Sequence, residues 1–201
     1  MSTDINSFES TNTTAKGFAL TSGFWMMVAT FYGLLGATEL VAPDLTANMG
    51  GIVFGRVRPT HVNLVLFGFV TPGLLAAAFY FIPRLLRARL FSERLGVVTV
   101  VLWNIALVGV VASLAAGMTQ GREYAELIWH LDIMVVAAFG LVFINFIMTV
   151  KNRQEPILYV SVWYVLAGVI LTFSTFALGN VIWKPDSGAP VSYTHLRAHE
   201  T

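Results

Sequence analysis

The chain has 201 residues, of which 56% are hydrophobic and only 11% are charged, and its mean hydropathy is +0.73. This balance excludes an ordinary soluble domain, in which roughly a quarter of the residues are charged. The formal net charge of +1 argues against a role in nucleic-acid binding. Because the sequence contains no cysteine, disulfides, thiolate metal sites and the Cys-x-x-Cys-His attachment of a c-type haem are also excluded.

The amino-terminal stretch is polar and precedes the first apolar segment. It is rich in Ser, Thr and Asn, and its first fifteen residues carry Asp4 and Glu9 but no arginine. A signal peptide needs a basic start directly before an apolar core, so this stretch does not fit one. We predict a disordered cytoplasmic tail over residues 1–17.

Five apolar segments follow, each long enough to cross a membrane, which takes about 20 mostly apolar residues. The predicted segments are about Phe18–Ala42, Thr60–Pro83, Leu95–Gly117, Leu127–Val150 and Ile157–Ile182. The connections between them are short. The predicted fold class is therefore all-α, a polytopic transmembrane helix bundle over residues 18–184.

The distribution of basic residues predicts the orientation of the bundle. The loop between the second and third segments holds four arginines, and the loop between the fourth and fifth holds Lys151 and Arg153. Cytoplasmic loops carry an excess of Lys and Arg, so these loops and the amino terminus are expected on the cytoplasmic side. The second segment then begins at the outer surface, as does the fourth.

His61 opens the second apolar segment, directly after a basic turn that contains Arg56 and Arg58. A haem iron accepts a neutral imidazole nitrogen, and haem propionates pair with arginine, so this pattern favours a haem site. Helical periodicity places Gly68 on the face of His61, where a glycine leaves room for a flat macrocycle. Two alternatives remain open: a histidine that only hydrogen-bonds a backbone carbonyl, and arginines that bind lipid phosphates.

An acidic loop precedes the fourth segment, on the same predicted surface as His61. Its carboxylates Glu123 and Glu126 would repel nearby propionates by about 3–4 kcal/mol per pair at an effective dielectric of about 20. Such a cluster favours either arginines or a hard divalent cation such as Ca²⁺, which takes oxygen ligands. The alternative is a solvated loop with these side chains in water.

Further polar residues occur close to or inside the apolar segments. His130 and Asp132 fit either a second ligand with its orienting carboxylate or two interfacial polar residues, and we favour the latter. The asparagines Asn63, Asn104 and Asn145 are predicted to hydrogen-bond neighbouring helices, since amides in apolar helices need polar partners.

Three stretches of the chain resemble, in order, subunit I of the cbb3-type cytochrome c oxidases. Residues 54–63 are similar to the family's Phe-Gly-Arg-x-Arg-Pro-x-His-x-Asn motif, and residues 117–132 look like the loop before its fourth helix. Residues 155–164 are similar to the start of the next helix, so the resemblance covers roughly residues 50–184. It implies five helices of a haem-copper oxidase subunit I fold that has about twelve.

The resemblance also implies a set of sites, cofactors and partners. His61 would be an axial ligand of the low-spin haem b, Arg58 and, as a second candidate, Arg56 would contact its propionates, and Glu123, with Glu126 as a weaker candidate, would bind calcium. Haem b3 and copper B would be held by the rest of the full-length enzyme. Its partners would be membrane lipid, c-type cytochrome subunits and O₂, in the inner membrane of a bacterium.

The functional hypothesis is the amino-terminal part of a terminal oxidase that reduces O₂ to water and pumps protons, inactive as this fragment alone. Residues 185–201 do not resemble the family, so we interpret them as an artefactual tail and assign no role to His195 or His199. The alternatives are the large subunit of a nitric oxide reductase and a non-catalytic five-helix haem b anchor. A transporter is disfavoured because no pair of broken helices with a central charge is visible.

Overall fold

The computed structural model describes residues 12–45, 50–120 and 126–182. Five of the helical stretches in this part are long and apolar enough to cross a membrane, which confirms the predicted bundle of five spans. The described helices are α1 (Thr13–Val41), α2 (Phe54–Asn63), α3 (Thr71–Leu85), α4 (Glu93–Ala115), α5 (Trp129–Lys151) and α6 (Val160–Phe176). A short 3₁₀ turn (Pro43–Leu45) follows α1. A first π segment (Leu64–Val70) joins α2 to α3, and a second (Ala177–Ile182) extends α6.

Helix α1 begins at Thr13, five residues before the predicted start of the first segment, so the tail boundary predicted at residue 17 lies inside the helix. The partner that supports this start belongs to α4. The backbone N–H of Thr14 donates to Glu93 Oε2 over 3.0 Å, and the Thr14 hydroxyl donates to the same oxygen over 2.6 Å. A carboxylate at a helix amino terminus satisfies a free N–H and complements the helix dipole. Residues 1–11 of the predicted tail lie outside the described part.

The basic stretch before His61 is helical, so the prediction of a turn at residues 54–60 is wrong. Here too the supporting carboxylate comes from another helix. The backbone N–H of Phe54, the first residue of α2, donates to Glu39 Oε2 in α1 over 3.0 Å. Pro59 lies inside α2, and the Asn63 side-chain amide donates to its carbonyl over 2.9 Å. Arg56, Arg58 and His61 therefore project from one continuous helix.

The first π segment is explained by the proline that follows it. The N–H of Thr71 bonds to the carbonyl of Leu66, five residues back, and Pro72 has no N–H with which to reach Phe67 in the same way. The indole N–H of Trp103 in α4 donates to this Phe67 carbonyl over 2.7 Å. Within a bilayer an unsatisfied carbonyl is costly, so the side chain of one helix completes the backbone of another.

Replacing Trp103 by phenylalanine is therefore expected to lower the free energy of unfolding by about 2–4 kcal/mol, because it removes the donor to Phe67 and leaves a cavity. The measurement is denaturant-induced unfolding of the chain in detergent, followed by far-UV circular dichroism. Trp163→Phe is the matched control, since Trp163 is 60% exposed on α6. Equal losses of unfolding free energy in the two variants would contradict the role of Trp103 as the donor to the Phe67 carbonyl.

The core of the bundle is aromatic around Trp103. This side chain is 2% exposed and lies edge-on to Phe18 of α1 and Phe139 of α5, with centroid distances of 6.3 and 5.0 Å. Phe79 of α3 stacks on Phe18 at 5.5 Å and contacts Phe146 of α5 at 4.6 Å. Edge and offset contacts of this kind add to the energy of burial. The core thus joins the first four spans of the bundle.

The intramembrane asparagines hydrogen-bond across the bundle, as predicted. Asn104 of α4 accepts from Trp25 Nε1 over 2.9 Å and donates to the Thr21 hydroxyl over 2.8 Å, both in α1. Asn145 of α5 is fully buried and exchanges two hydrogen bonds with the backbone of Ser92, of 3.2 and 2.9 Å. Asn63 reaches the loop before α5 and belongs to the site described next.

Candidate functional site

His61 lies in the last turn of α2, at the end of the bundle where α4 ends and α5 begins, which we call the His61 end. Its Nδ1 is 2.8 Å from the carbonyl oxygen of Ala29 in α1. A backbone carbonyl can only accept a hydrogen bond, so Nδ1 is the donor, and in the neutral ring Nε2 then keeps its lone pair. Within the described ranges no hydrogen bond to Nε2 is found. The carbonyl contact of the alternative interpretation is therefore present, and it leaves the second ring nitrogen of a neutral imidazole available as a ligand.

The His61 ring rests against a glycine of α1. A Cβ atom on Gly33 would lie 2.8 Å from His61 Cε1 and 3.0 Å from Nδ1, closer than such atoms approach. The close approach of α2 to α1 at this level therefore depends on the missing side chain of Gly33.

The space expected beside Gly68 is filled, so that part of the sequence interpretation is wrong. A Cβ atom on Gly68 would lie 2.8 Å from the Cβ of Trp25 in α1. The physical reason is the packing of α1: its Ala29 and Gly33 contact His61, and Trp25, one turn from Ala29, fills the space against Gly68. A flat ligand on His61 would have to lie elsewhere.

Arg56 and Arg58 differ in their surroundings. Arg56 is partly buried, and its Nη1 donates to the carbonyl of Ala115, the last residue of α4, over 2.8 Å. Gly117 makes room for it, since a Cβ there would lie 2.7 Å from Arg56 Nη2 and the backbone φ of +77° also favours glycine. A cation at a helix carboxyl terminus is favourable. Arg56 therefore ties α2 to α4, whereas Arg58 is exposed.

Glu126 is brought to the His61 end, as predicted for the acidic loop. Its Oε2 accepts from the side-chain amide of Asn63, two residues beyond His61, over 3.1 Å. Its backbone carbonyl accepts from the Thr119 hydroxyl over 2.9 Å and from the Gln120 N–H over 3.3 Å. The predicted calcium residue Glu123 lies outside the described residues, as do Arg122 and Trp183. Over residues 12–45, 50–120 and 126–182, no three His, Asp or Glu side chains converge as a metal-binding set.

His130 and Asp132 do not work as a ligand and its orienter. His130 is exposed and lies edge-on to the Trp129 ring at 5.7 Å. Asp132, in the first turn of α5, is 0% exposed, and its Oδ2 accepts from Gln120 Nε2 over 2.8 Å. The same Gln120 amide donates to the carbonyl of Leu127 over 2.5 Å, so Gln120 lies against the start of α5.

Three residues of the site, Ala29, Gly33 and Gln120, were not predicted from the sequence. The first two act on His61 from α1, and nothing in their own neighbourhood marks them, because a backbone carbonyl and a glycine in an apolar helix have no distinctive pattern. Gln120 precedes the acidic pair, and a polar residue before a helix start could have been expected to hydrogen-bond the helix's first turn.

Five spans long and apolar enough to cross a membrane, with an imidazole held at one end of the bundle, define the class as a polytopic helical membrane protein. The sequence matches the family described as Cytochrome C and Quinol oxidase polypeptide I over residues 13–198. The chain therefore belongs to this family, the subunit I family of the haem-copper oxidases, whose members use haem and copper.

Among similar proteins, cytochrome c oxidase subunit 1 of Rhodobacter capsulatus is 36% identical over 167 residues, which are 82% of this chain and 31% of that protein. A cytochrome c oxidase subunit 1 homolog of Agrobacterium tumefaciens (strain T37) is 32% identical over 177 residues, 88% of this chain and 31% of that protein. The cbb3-type cytochrome c oxidase subunit CcoN1 of Stutzerimonas stutzeri is 30% identical over 170 residues, with coverages of 85% and 36%. The chain thus spans about a third of the curated relatives it matches.

Proposed function

We propose that the chain is the amino-terminal part of the catalytic subunit of a cbb3-type terminal oxidase and that His61 is an axial ligand of its low-spin haem b. The observation that carries this proposal is the hydrogen bond from Nδ1 to Ala29, which fixes the tautomer and leaves Nε2 with a lone pair. Metal-bound histidines commonly donate their other N–H to a carbonyl or carboxylate. His61 therefore offers a nitrogen ligand that fits a haem iron.

The basic and acidic residues of the His61 end are assigned to the charges of that haem. Arg58, exposed on the helix of His61, is proposed to pair with a propionate, since guanidinium groups bind carboxylates in a bidentate manner. Arg56 is engaged with the carboxyl end of α4, so its role is to hold α2 in place and to add positive potential. Glu123 and Glu126 are proposed as calcium ligands, and the Asn63 contact puts the Glu126 carboxylate at the His61 end.

When bound, the haem supplies one-electron transfer towards an oxygen-reducing haem b3–copper B centre. The residues of this chain orient the imidazole, direct its Nδ1–H to the Ala29 carbonyl and place it among apolar helices. The remaining helices of the full-length protein are proposed to hold the oxygen-reducing centre, with c-type cytochrome subunits as electron donors. The location is the bacterial inner membrane, with a cytoplasmic amino terminus, because the loops after α3 and α5 carry more Lys and Arg.

The test is a haem titration of the purified chain in lipid nanodiscs, with imidazole added as the second axial ligand. We expect one haem b per chain and a low-spin spectrum on reduction. Binding no tighter than to empty nanodiscs would contradict the assignment.

The chain on its own is expected to show no oxidase activity. A haem–copper centre needs several histidines inside the bundle, and the two in the described ranges, His61 and His130, both lie at the His61 end. Supplied with haem, copper and a reductant, the chain should consume oxygen no faster than a haem-only control in an oxygen electrode. Sustained uptake that cyanide inhibits would refute this prediction.

A further inference from the structure

We infer that α1 contains a positioning device for the haem ligand, in which the Ala29 carbonyl selects the Nδ1–H tautomer of His61 and Gly33 admits the imidazole ring. The inference rests on the proposed function of His61 and deepens it. Both residues contact the imidazole and are proposed to act through it.

The carbonyl of Ala29 has a second lone pair available for His61. In an α-helix it accepts the N–H of the residue four positions on, which is Gly33, and a carbonyl oxygen can accept two hydrogen bonds. The distance of 2.8 Å from Nδ1 is that of a well-formed bond. Since neutral histidine in water favours the Nε2–H tautomer, this contact reverses the ordinary preference and frees the nitrogen that would bind iron.

Gly33 stands beside that carbonyl, so its side chain would occupy the place of the ring. A Cβ atom there would lie 2.8 Å from Cε1 and 3.0 Å from Nδ1, the part of the ring that bonds to Ala29. The ring is rigid and can escape only by rotating as a whole or moving away from α1. Either movement lengthens the hydrogen bond to Ala29 and removes the preference for the Nδ1–H tautomer.

Gly36, three residues further along α1, provides a matched control. A Cβ atom on Gly36 would lie 3.6 Å from Val57 Cγ1 and 3.9 Å from Phe54, which are ordinary van der Waals contacts. Gly36→Ala therefore makes the same chemical change in the same helix without touching the imidazole. Any effect that both variants share would reflect helix α1 in general.

The first measurement is the ring nitrogen spectrum of His61. The full chain is labelled with ¹⁵N-histidine, held in nanodiscs without haem at about pH 8.5, where an ordinary imidazole is neutral, and assigned with a His61→Gln variant. We expect a protonated Nδ1 and an unprotonated Nε2 in the wild type and in Gly36→Ala, and the Nε2–H form in Gly33→Ala. An Nε2–H signal for His61 in the wild-type chain would overturn the inference without reference to any variant.

The second measurement is the affinity for haem b in the presence of imidazole. Loss of an orienting partner commonly weakens metal binding by roughly 10–100-fold, so we expect a weakening in this range for Gly33→Ala and no change for Gly36→Ala. Equal affinities for Gly33→Ala and the wild type would also overturn the inference. If the tautomer responds as expected while even the wild type binds no haem, the positioning device stands and the haem assignment fails, so the two failures are distinguishable.

Discussion

His61→Ala is expected to abolish the low-spin haem b spectrum of the reconstituted chain, the largest functional effect of any single substitution. The Nδ1 of His61 is held by Ala29 of α1, which leaves Nε2 as the nitrogen that would bind iron, and alanine supplies no such donor. The measurement is the reduced-minus-oxidised spectrum in nanodiscs with imidazole, together with the haem content per chain. Both should fall to the level of empty nanodiscs.

His130→Ala is the control for this experiment, because His130 lies at the same end of the bundle but is exposed and packs on Trp129. Both variants are best made in a background with glutamine at positions 195 and 199, which removes the remaining histidines as chance ligands. A spectrum that survives His61→Ala but disappears with His130→Ala would transfer the ligand role to α5.

Gly96→Ala is expected to be the most destabilising single-methyl change in the bundle. A Cβ atom on Gly96 of α4 would overlap the hydroxyl and methyl of Thr14 in α1, and Thr14 is fixed by its bonds to Glu93. Overpacking costs about 1–3 kcal/mol, and breaking a hydrogen bond to a carboxylate adds about 1.5–3 kcal/mol. We therefore expect a loss of about 3–5 kcal/mol in the free energy of unfolding, measured by denaturant titration in detergent.

Gly23→Ala is the control that separates the effect of the Gly96 position from the general effect of replacing glycine by alanine in a helix. Gly23 lies in α1, and no other side chain comes within 4 Å of the place that an added Cβ atom would take. Gly23→Ala should therefore stabilise the helix by about 0.5–1 kcal/mol through the lower conformational entropy of alanine. If Gly96→Ala behaves like Gly23→Ala, α1 and α4 do not approach as closely as described.

The number and type of spans could be predicted because runs of about 20 apolar residues have few other uses. The helix starts at Thr13 and Phe54 could not, since each is supported by a carboxylate from a distant helix, Glu93 and Glu39. The space expected beside Gly68 is filled because Trp25 of α1 packs against it, a contact that helical periodicity does not predict. Local propensity and helical periodicity carry no information on such contacts between distant helices.

For the site, the sequence predicted which residue types meet but not how each is held. Glu126 and the helix of His61 do lie together, because alternate spans of an antiparallel bundle begin at the same surface. The engagement of Arg56 with the end of α4 and the burial of Asp132 depend on loop conformations that periodicity does not encode. The tautomer of His61 depends on the carbonyl of Ala29, a backbone group that every residue type carries and that no sequence pattern can mark.

The hydrogen bond from Trp103 to the Phe67 carbonyl decides when, during synthesis, the second span can complete its hydrogen bonding. A ribosome delivers the second span before the third, and Trp103 emerges 36 residues after Phe67. Ser22, whose hydroxyl donates to the Phe69 carbonyl over 2.8 Å, is already present in the first span. The nascent second span can therefore dock on the first at once but keeps one carbonyl without its final donor until the third span is synthesised. The hydrogen bonding of the second span is thus completed only when the chain has been extended through Trp103 of α4.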